Sequence, residues 1–172
     1  MQITKDLTLT ATFTALLIGA QLALSAISGI EVVSVLFISY CYYFGVRRGI
    51  MVATVFPFFR CFLFGFFPQV IILYFTYYNL LAVVVGVLGH NLKRATPTAQ
   101  LIAVTATAIV MTVLFTLLDD VITPLFFRFS IEVANAYFYT SLATLIPHVF
   151  CVAVTVAILF LPLCKVYRMA KL

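Results

Sequence analysis

The sequence is poor in charged residues, and acidic residues are the rarer kind. Of 172 residues, 10 are lysine or arginine and 5 are aspartate or glutamate, so charged residues make up 9% and hydrophobic residues 65%. A soluble domain carries about 25% charged residues. It cannot hide this much apolar surface from water, whereas lipid accepts it. The composition therefore excludes an ordinary soluble domain and predicts an integral membrane protein.

Motifs for catalysis, nucleotide binding and metal binding are also missing. There is no GxSxG, no HExxH and no glycine-rich phosphate loop. The four cysteines are scattered, at Cys41, Cys61, Cys151 and Cys164. They form no CxxC pair, which favours apolar packing over a disulfide or metal framework, and two histidines, His90 and His148, make a metal site unexpected. We therefore expect no enzyme, no cofactor and no metal, and any active transport must draw energy from a partner or an ion gradient.

The chain shows no linker, low-complexity tract or repeat, so we expect one domain over residues 1–172. Its first apolar stretch, Leu7 to Ser28, is longer than the roughly 7–15 apolar residues of a signal peptide. We interpret this stretch as a retained first helix.

The few charges are sorted by sign. Eight of the ten basic residues fall at the start, at the end and in two turns between apolar segments, namely Lys5, Arg47, Arg48, Lys93, Arg94, Lys165, Arg168 and Lys171, whereas Arg60 and Arg128 depart from this pattern. Four acids fall in the intervening turns, namely Glu31, Asp119, Asp120 and Glu132. Proteins that cross a bilayer repeatedly show this alternation, because their cytoplasmic loops are enriched in lysine and arginine (the positive-inside rule). We expect an even number of crossings, both termini in the cytoplasm, and basic residues that set topology rather than bind nucleic acid.

About 20 apolar residues span a bilayer, and six apolar stretches predict an all-α bundle of six transmembrane helices, of which the second and third are expected to be short or tilted. They are Leu7–Ser28, Val32–Phe44, Ile50–Phe64, Gln69–Leu88, Leu101–Leu118 and Ala136–Leu163. Residues 45–49 form a predicted inner turn, because fusing the second and third helices would bury Arg47 and Arg48 at mid-bilayer. Residues 119–135 form a predicted outer segment. Pro68 is expected to open the fourth helix, and Pro147 to kink the sixth.

The fifth and sixth predicted helices each carry a polar stripe. Side chains three, four and seven residues apart share a helix face. The stripes are Thr105, Thr112, Thr116, Asp119, Asp120 and Thr123, and Tyr137, Ser141, Thr144, His148, Cys151 and Thr155. Polar groups facing lipid would be unsatisfied, so both stripes should face the bundle interior or a wet cavity. Their ionisable members lie in the outer halves, which predicts a site open to the outside.

Several of these residues allow a second interpretation. Asp119 and Asp120 could end the fifth helix in water, and His148 could be a hydrogen-bonded structural histidine. Arg60 lies in a dense aromatic run, where it needs a carboxylate, an aromatic face or an anionic ligand.

The fourth helix offers two candidate faces to the site. One carries Tyr74, Tyr77 and Tyr78, and the other carries Gln69, Thr76 and Asn79. Either face could line a cavity. The tyrosines could also belong to an interfacial belt or to the packed core.

The first helix carries small residues at every fourth position. We call the set Ala11, Ala15, Gly19 and Ala23 the α1 ridge. Ridges of this kind let another helix approach backbone to backbone, where packing drives association in lipid. The partner could be a second protein or a helix of the same bundle.

Taken together, these features resemble the substrate-specific S component of energy-coupling factor (ECF) transporters. The resemblance rests on six predicted helices in 172 residues, both ends inside, the small-residue ridge and a polar outer site. The segment from Gly29 to Ser34, with Gly45 and then Arg47-Arg48-Gly49, is also similar to that family. The resemblance implies a bacterial plasma-membrane subunit that captures a small water-soluble vitamin or related micronutrient from outside. It further implies docking through helix 1 on a membrane scaffold (the T component) and delivery driven by two cytoplasmic ATPases.

The resemblance also implies where the ligand binds, namely the outer halves of helices 4 to 6 and the loop between helices 1 and 2. Mapped by region and polarity, the site comprises Glu31, Tyr74, Tyr77, Tyr78, Asp119, Asp120 and His148, with Arg60, Arg128 and Asn135 at the rim. The α1 ridge would be the docking surface. Aromatic residues with acids and arginines suit a polar heterocycle, and pyridoxine-type compounds, cobalamin and deazapurines all stay open.

Two other classes of function stay open beside this one. The aspartate pair could serve an ion-coupled secondary carrier, which would transport alone under an ion gradient. An intramembrane enzyme or assembly factor would act without ATPase partners.

Overall fold

The computed structural model describes residues 2–24 and 32–169, and these residues form helices joined by short turns. The described helices are α1 Gln2–Leu24, α2 Val32–Phe44, α3 Val46–Phe64, α4 Pro68–Asn91, α5 Pro97–Phe127 and α6 Ile131–Met169. The predicted all-α class is therefore confirmed for this part of the chain. The predicted end of the first helix at Ser28, and the candidate site residue Glu31, lie outside the described residues.

Four of these helices are long and apolar enough to cross a membrane, within residues 4–24, 68–91, 97–127 and 131–169. α2 has 13 residues, which at about 1.5 Å per residue is about 20 Å, less than the ~30 Å of bilayer hydrocarbon. α3 contains Arg47, Arg48 and Arg60. The four long helices are those of a helical membrane protein. Six crossings with cytoplasmic termini stay a prediction.

α2 lies at the centre of the helix packing, because it contacts α1, α3, α4 and α6. All its residues from Ser34 to Cys41 are buried. The ring of Phe37 meets that of Tyr78 on α4 at 5.0 Å, and the ring of Tyr40 stacks on Phe13 of α1 at 4.0 Å. A helix that is apolar on all sides is expected to be buried. The predicted end of this helix at Phe44 is confirmed, and its predicted start, Val32, is the first residue described after the gap.

A single residue, Gly45, separates α2 from α3, and its φ is 86°. Glycine adopts positive φ without a steric penalty, so the chain changes direction at this one residue. The predicted inner turn over residues 45–49 is therefore wrong, because α3 begins at Val46 and Arg47 and Arg48 lie in its first turn. Arg48 Nε donates a hydrogen bond to Asp6 Oδ1 at 2.8 Å, which joins α3 to α1.

The start of α1, the α2–α3 junction and the last turns of α4 and α6 meet at one end of the bundle. The Tyr167 ring of α6 lies 5.5 Å from the Phe44 ring of α2, and Gly89 of α4 packs against the Tyr42 backbone. These segments and the adjoining α4–α5 turn carry Lys5, Arg47, Arg48, Lys93, Arg94, Lys165 and Arg168. We call this the basic end, and we call the opposite end, with Asp119, Asp120 and Glu132, the acidic end.

α5 and α6 form a hairpin at the acidic end, connected by residues 128–130 alone. The predicted outer segment over residues 119–135 is wrong, because apolar residues beyond Asp120 continue α5 to Phe127. Arg128 then ends α5 with φ 52°, a left-handed conformation that closes helices in a tight turn. The 31 residues of α5 and 39 of α6 span about 46 Å and 58 Å at about 1.5 Å per residue. Both helices are thus longer than the bilayer hydrocarbon.

Two proline positions bear on the predicted helices. α4 begins at Pro68, as expected from proline's preference for the first helical position. α6 continues through Pro147 without interruption. The kink expected there stays a prediction.

Candidate functional site

The polar stripes of α5 and α6 face each other in the acidic half of the hairpin. Tyr137 OH donates to Asp119 Oδ2 at 2.7 Å, and Ser141 Oγ donates to Asp120 Oδ2 at 2.7 Å. Thr123 Oγ1 donates to Asp119 Oδ1, also at 2.7 Å. Tyr137 and Ser141 are one turn apart on α6, so their hydroxyls reach two adjacent carboxylates on α5.

A cavity of about 260 Å³ lies between the facing stripes. We call it the α5–α6 cavity. It is lined by Phe115, Thr116, Asp119, Tyr137, Thr140, Ser141, Thr144 and His148. Thr140 and Thr144 are exposed, so the cavity communicates with the surface. Its volume is close to the lower limit of about 300 Å³ for small-molecule pockets.

A smaller cavity of about 20 Å³ adjoins the first and shares Phe115 and His148 with it. Its other walls are Ser34, Tyr74, Tyr77, Tyr78 and Thr112. The volume suits about one water molecule. We call it the tyrosine cavity, because the tyrosine face of α4 forms most of it.

Of the two faces of α4, the tyrosine face is the one that lines a described cavity. On the alternative face, Asn79 Oδ1 accepts a hydrogen bond from Thr54 of α3 at 3.4 Å, and Thr76 is exposed. The tyrosines also belong to the packed core, because Tyr77 and Tyr78 are each 5% exposed. Core packing and cavity lining are therefore combined in the same side chains.

Arg60 lies behind the tyrosine cavity. Its guanidinium carbon is 4.5 Å from the ring centroid of Tyr74 and 5.0 Å from that of Phe64. Its Nε is buried and makes no hydrogen bond within the described residues. Of the three partners that the sequence allowed, an aromatic face is the one observed. Arg60 itself lines neither cavity.

The two aspartates differ in their surroundings. Asp119 lines the α5–α6 cavity, and both of its oxygens accept hydroxyl hydrogen bonds. Asp120 lies outside the lining, and its Oδ1 is buried without a hydrogen bond from the described residues. In the described part of the chain the ion pair joins Asp6 and Arg48, so neither Asp119 nor Asp120 is neutralised by an ion pair there. Because α5 continues past both residues, they do not end the helix in water.

The rim residues expected from the family resemblance are not brought to the cavity. Arg128 is exposed in the α5–α6 turn, and Asn135 is exposed on the first turns of α6. Neither lines the α5–α6 cavity or the tyrosine cavity. Glu31 lies outside the described residues.

The α1 ridge is exposed over its whole length, at Ala11, Ala15, Gly19 and Ala23. A Cβ atom added at Gly19 would meet nothing within 4 Å. Within the described residues the ridge therefore packs against no other helix. Close small-residue packing occurs instead on α4, where a Cβ at Gly86 would lie 2.7 Å from the backbone nitrogen of Val46.

The cavity also contains residues that the sequence analysis missed. Thr140 lies three residues after Tyr137 and four before Thr144, so helical spacing could have found it. Nothing in the sequence marked Phe115 as a cavity residue, because it is one apolar residue among many in an apolar helix. Ser34, in the tyrosine cavity, is isolated from both stripes in sequence.

Another cavity, of about 270 Å³, lies at the basic end and was also missed. It is lined by Tyr42, Tyr43, Phe44, Gly45, Val46, Gly86, Val87, His90 and Lys93. The α5–α6 cavity is the stronger candidate for binding a polar solute. It combines a carboxylate with five hydroxyl groups and an imidazole, and so offers many convergent polar groups.

Comparisons with known proteins provide no relative for this chain. No family model, no curated protein and no solved structure matches it. Its function is therefore argued from its residues and their geometry.

Proposed function

We propose that this chain is the substrate-binding S subunit of an ECF-type uptake transporter in the bacterial plasma membrane. It crosses the membrane six times, with the basic end and both termini in the cytoplasm. It captures a small water-soluble vitamin or related micronutrient at the acidic end, from outside. It then docks through the α1 ridge on the membrane scaffold (T component), and two cytoplasmic ATPases drive delivery inward.

The observation that carries this proposal is the α5–α6 cavity. Polar and ionisable side chains inside membrane helices are costly, and they are found where helices line a substrate pathway or a wet cavity. Here Asp119, His148 and the hydroxyls of both stripes converge on one space, beside the tyrosine cavity. A polar cavity next to aromatic walls suits a small heterocyclic solute.

The exposed α1 ridge supports the docking part of the proposal. Helices associate in lipid through close van der Waals packing, and small side chains allow the shortest approach. The ridge meets no other described helix, and none of its residues lines the α5–α6 cavity or the tyrosine cavity. A partner can thus occupy the ridge without covering the cavity.

Two measurements test the proposal. Native mass spectrometry of the full chain, purified in mild detergent from its own cells, should detect a retained small molecule, and one vitamin or precursor in a thermal-shift panel should stabilise the protein. Ligand at 100 times its dissociation constant adds about 2.7 kcal/mol to stability. In liposomes the chain alone should bind this compound without transporting it. A chain that retains no molecule and is stabilised by no compound in the panel is not such a subunit.

The aspartate pair favours one second candidate, an ion-coupled carrier. Asp119 and Asp120 are adjacent carboxylates in a long apolar helix, and within the described residues no ion pair neutralises them. Carboxylates in this setting can bind protons or sodium ions in carriers. Uptake by the chain alone in liposomes, driven by a proton or sodium gradient, would establish the carrier.

A further inference from the structure

We propose that the α5–α6 cavity selects ligands that carry a positive charge and several N–H donors, and that it rejects anions. Ammonium, amidinium and protonated amino-heterocyclic groups have this chemistry. The inference rests on the proposed function for the role of the cavity and adds the class of substrate. Three features of the wall carry it: the carboxylate, the direction of the hydroxyl hydrogen bonds and the absence of basic side chains from the described lining.

The carboxylate of Asp119 keeps unused acceptor capacity. An ionised carboxylate has about four lone-pair sites, and Thr123 and Tyr137 each donate one hydrogen bond, to different oxygens. Because Asp119 lines the cavity, its remaining lone pairs are available to a donor placed there. A charged N–H donor makes the stronger bond to a carboxylate.

The hydroxyl groups of the wall present acceptors rather than donors. A hydroxyl has one proton to donate, and each lining hydroxyl donates it inside the protein. Tyr137 donates to Asp119 and Ser141 to Asp120, both at 2.7 Å, or Ser141 donates to the Phe138 carbonyl at 2.9 Å. The three lining threonines donate to backbone carbonyls of their own helices, at 2.9 Å from Thr140 and Thr144 and 3.3 Å from Thr116.

An anion would therefore find little to bind in this cavity. Its described lining contains no lysine or arginine. Arg60 is held over aromatic rings behind the tyrosine cavity, and Arg128 is exposed at the turn. His148 is the one described lining residue with a side-chain nitrogen. An anionic ligand would lie beside Asp119, and like charges placed together disfavour binding.

The aromatic side of the cavity strengthens the same preference. Phe115 lines both cavities, and its ring centroid lies 4.8 Å from that of Tyr77 and 5.8 Å from that of Tyr74. The faces of aromatic rings carry negative potential and attract cations. A flat cationic ring system can thus contact an aromatic side chain in the same cavity as the hydrogen-bond acceptors.

Three small probes of similar size and different charge test the inference, namely benzamidine (cation), benzyl alcohol (neutral) and benzoate (anion). The full chain is unfolded by heat in detergent, and reaction of the fully buried Cys41 with a thiol dye reports unfolding. We expect benzamidine to raise the midpoint, with a dissociation constant on the order of 1 mM for so small a probe. Benzoate should leave the midpoint unchanged, and benzyl alcohol should act more weakly than benzamidine. Equal or greater stabilisation by benzoate, or none by benzamidine, overturns the inference.

Two matched variants locate the effect. Asp119→Asn keeps the shape of the side chain, removes the charge and adds an N–H donor to the wall, so benzamidine should bind more than about tenfold more weakly. Asp120→Asn makes the same charge change at the next residue, which does not line the cavity. It should weaken binding by no more than about threefold, because Asp120 makes no direct hydrogen bond to a probe in the cavity. Midpoints without probe show whether each variant is folded. Equal losses in the two variants overturn the assignment to Asp119.

The identity of the retained molecule separates this inference from the proposed function. A retained carboxylate or phosphate compound, with ATPase-dependent uptake, would overturn the charge preference and leave the S-subunit function standing. A preference for benzamidine that depends on Asp119, without ATPase-dependent uptake, would leave the charge preference standing and remove that function. A retained compound with a protonated nitrogen supports both.

Discussion

The guanidinium carbon of Arg60 lies 4.5 Å from the ring centroid of Tyr74, and Tyr74 in turn lines the tyrosine cavity. Arg60 therefore acts on the candidate site through an aromatic ring and not through a ligand contact. A desolvated contact of this kind contributes about 2 kcal/mol. The arrangement also explains how an arginine is accommodated within the aromatic run of α3, because Phe64 lies on the same guanidinium at 5.0 Å.

Replacing Arg60 should lower stability and loosen the tyrosine cavity. We expect Arg60→Gln to lower the free energy of unfolding by about 1–2 kcal/mol. Arg60→Lys should lose less stability than Arg60→Gln but still be less stable than the unchanged protein, because the planar guanidinium stacks on rings better than an ammonium. Thermal unfolding in detergent measures both. Arg94→Gln, at an exposed position in the α4–α5 turn, is the control and should change the free energy of unfolding little. If Arg94→Gln lowered stability as much as Arg60→Gln, the loss of a positive charge alone would explain the effect.

The ion pair between Asp6 and Arg48 should fasten α1 to α3. The side chain of Asp6 is only 12% exposed, and a hydrogen bond between charged groups contributes about 1.5–3 kcal/mol. We expect Asp6→Asn to lower stability by about 1–2 kcal/mol. A double-mutant cycle with Arg48→Gln should give a coupling energy above about 0.5 kcal/mol. Lys5→Gln, at the exposed neighbouring position, is the control, and additive effects in the cycle would contradict the pairing.

The sequence predicted the element types well and some boundaries badly, for reasons tied to particular residues. The end of α2 at Phe44 was found because Gly45 follows a largely apolar run. The α2–α3 turn was predicted too long, because Arg47 and Arg48 suggested a loop. In the fold, one glycine at positive φ makes the turn, and Arg48 is accommodated in a helix by pairing with Asp6.

The hydrogen bond from Tyr137 to Asp119 should hold the two helices of the hairpin together. Tyr137→Phe removes the donor and leaves the ring, and we expect it to lower the free energy of unfolding by about 1–2 kcal/mol because a bond to a carboxylate is lost. Tyr139→Phe is the matched control, since Tyr139 is 72% exposed two residues along the same helix. Thermal midpoints of the two variants compare them. Equal midpoints would mean that the bond contributes nothing to the hairpin.

The candidate site was predictable in its polar half and not in its aromatic half. Hydroxyl and carboxylate residues at helical spacing indicated that α5 and α6 face each other. Which face of α4 joins them depends on packing between distant segments, such as the contact of Tyr78 with Phe37 of α2. Phe115 became part of the site through the same packing, which no local pattern encodes.

Gly89 should be intolerant of any side chain. A Cβ atom there would collide with the backbone carbonyl of Tyr42, so α4 would have to move away from α2. Overpacking of this kind costs about 1–3 kcal/mol, and we expect a lower thermal midpoint for Gly89→Ala. Gly19→Ala is the matched control, because a Cβ there meets nothing within 4 Å and alanine favours the helix by up to about 1 kcal/mol. A neutral Gly89→Ala would show that α4 does not pack this closely.

The α1 ridge should serve docking and not folding or ligand binding. Ala15 and Gly19 are exposed, so leucine at both positions disturbs no described contact within the chain. The larger side chains would, however, hold a partner helix away and remove the close contact on which association in lipid depends. We expect Ala15→Leu/Gly19→Leu to keep its thermal midpoint and its retained small molecule. It should lose co-purification with the scaffold and the ATPases, and uptake in cells.

The control for the ridge is Ala106→Leu, which adds the same bulk at an exposed position on α5, away from α1. Because α5 packs on α4 and α6, this change should leave folding, co-purification and uptake unaffected. If the ridge variant still co-purifies with the scaffold and supports uptake, the partner binds another face of the protein. If it unfolds or loses its small molecule instead, the ridge is packed inside the bundle in the membrane, and the link between α1 and docking is lost.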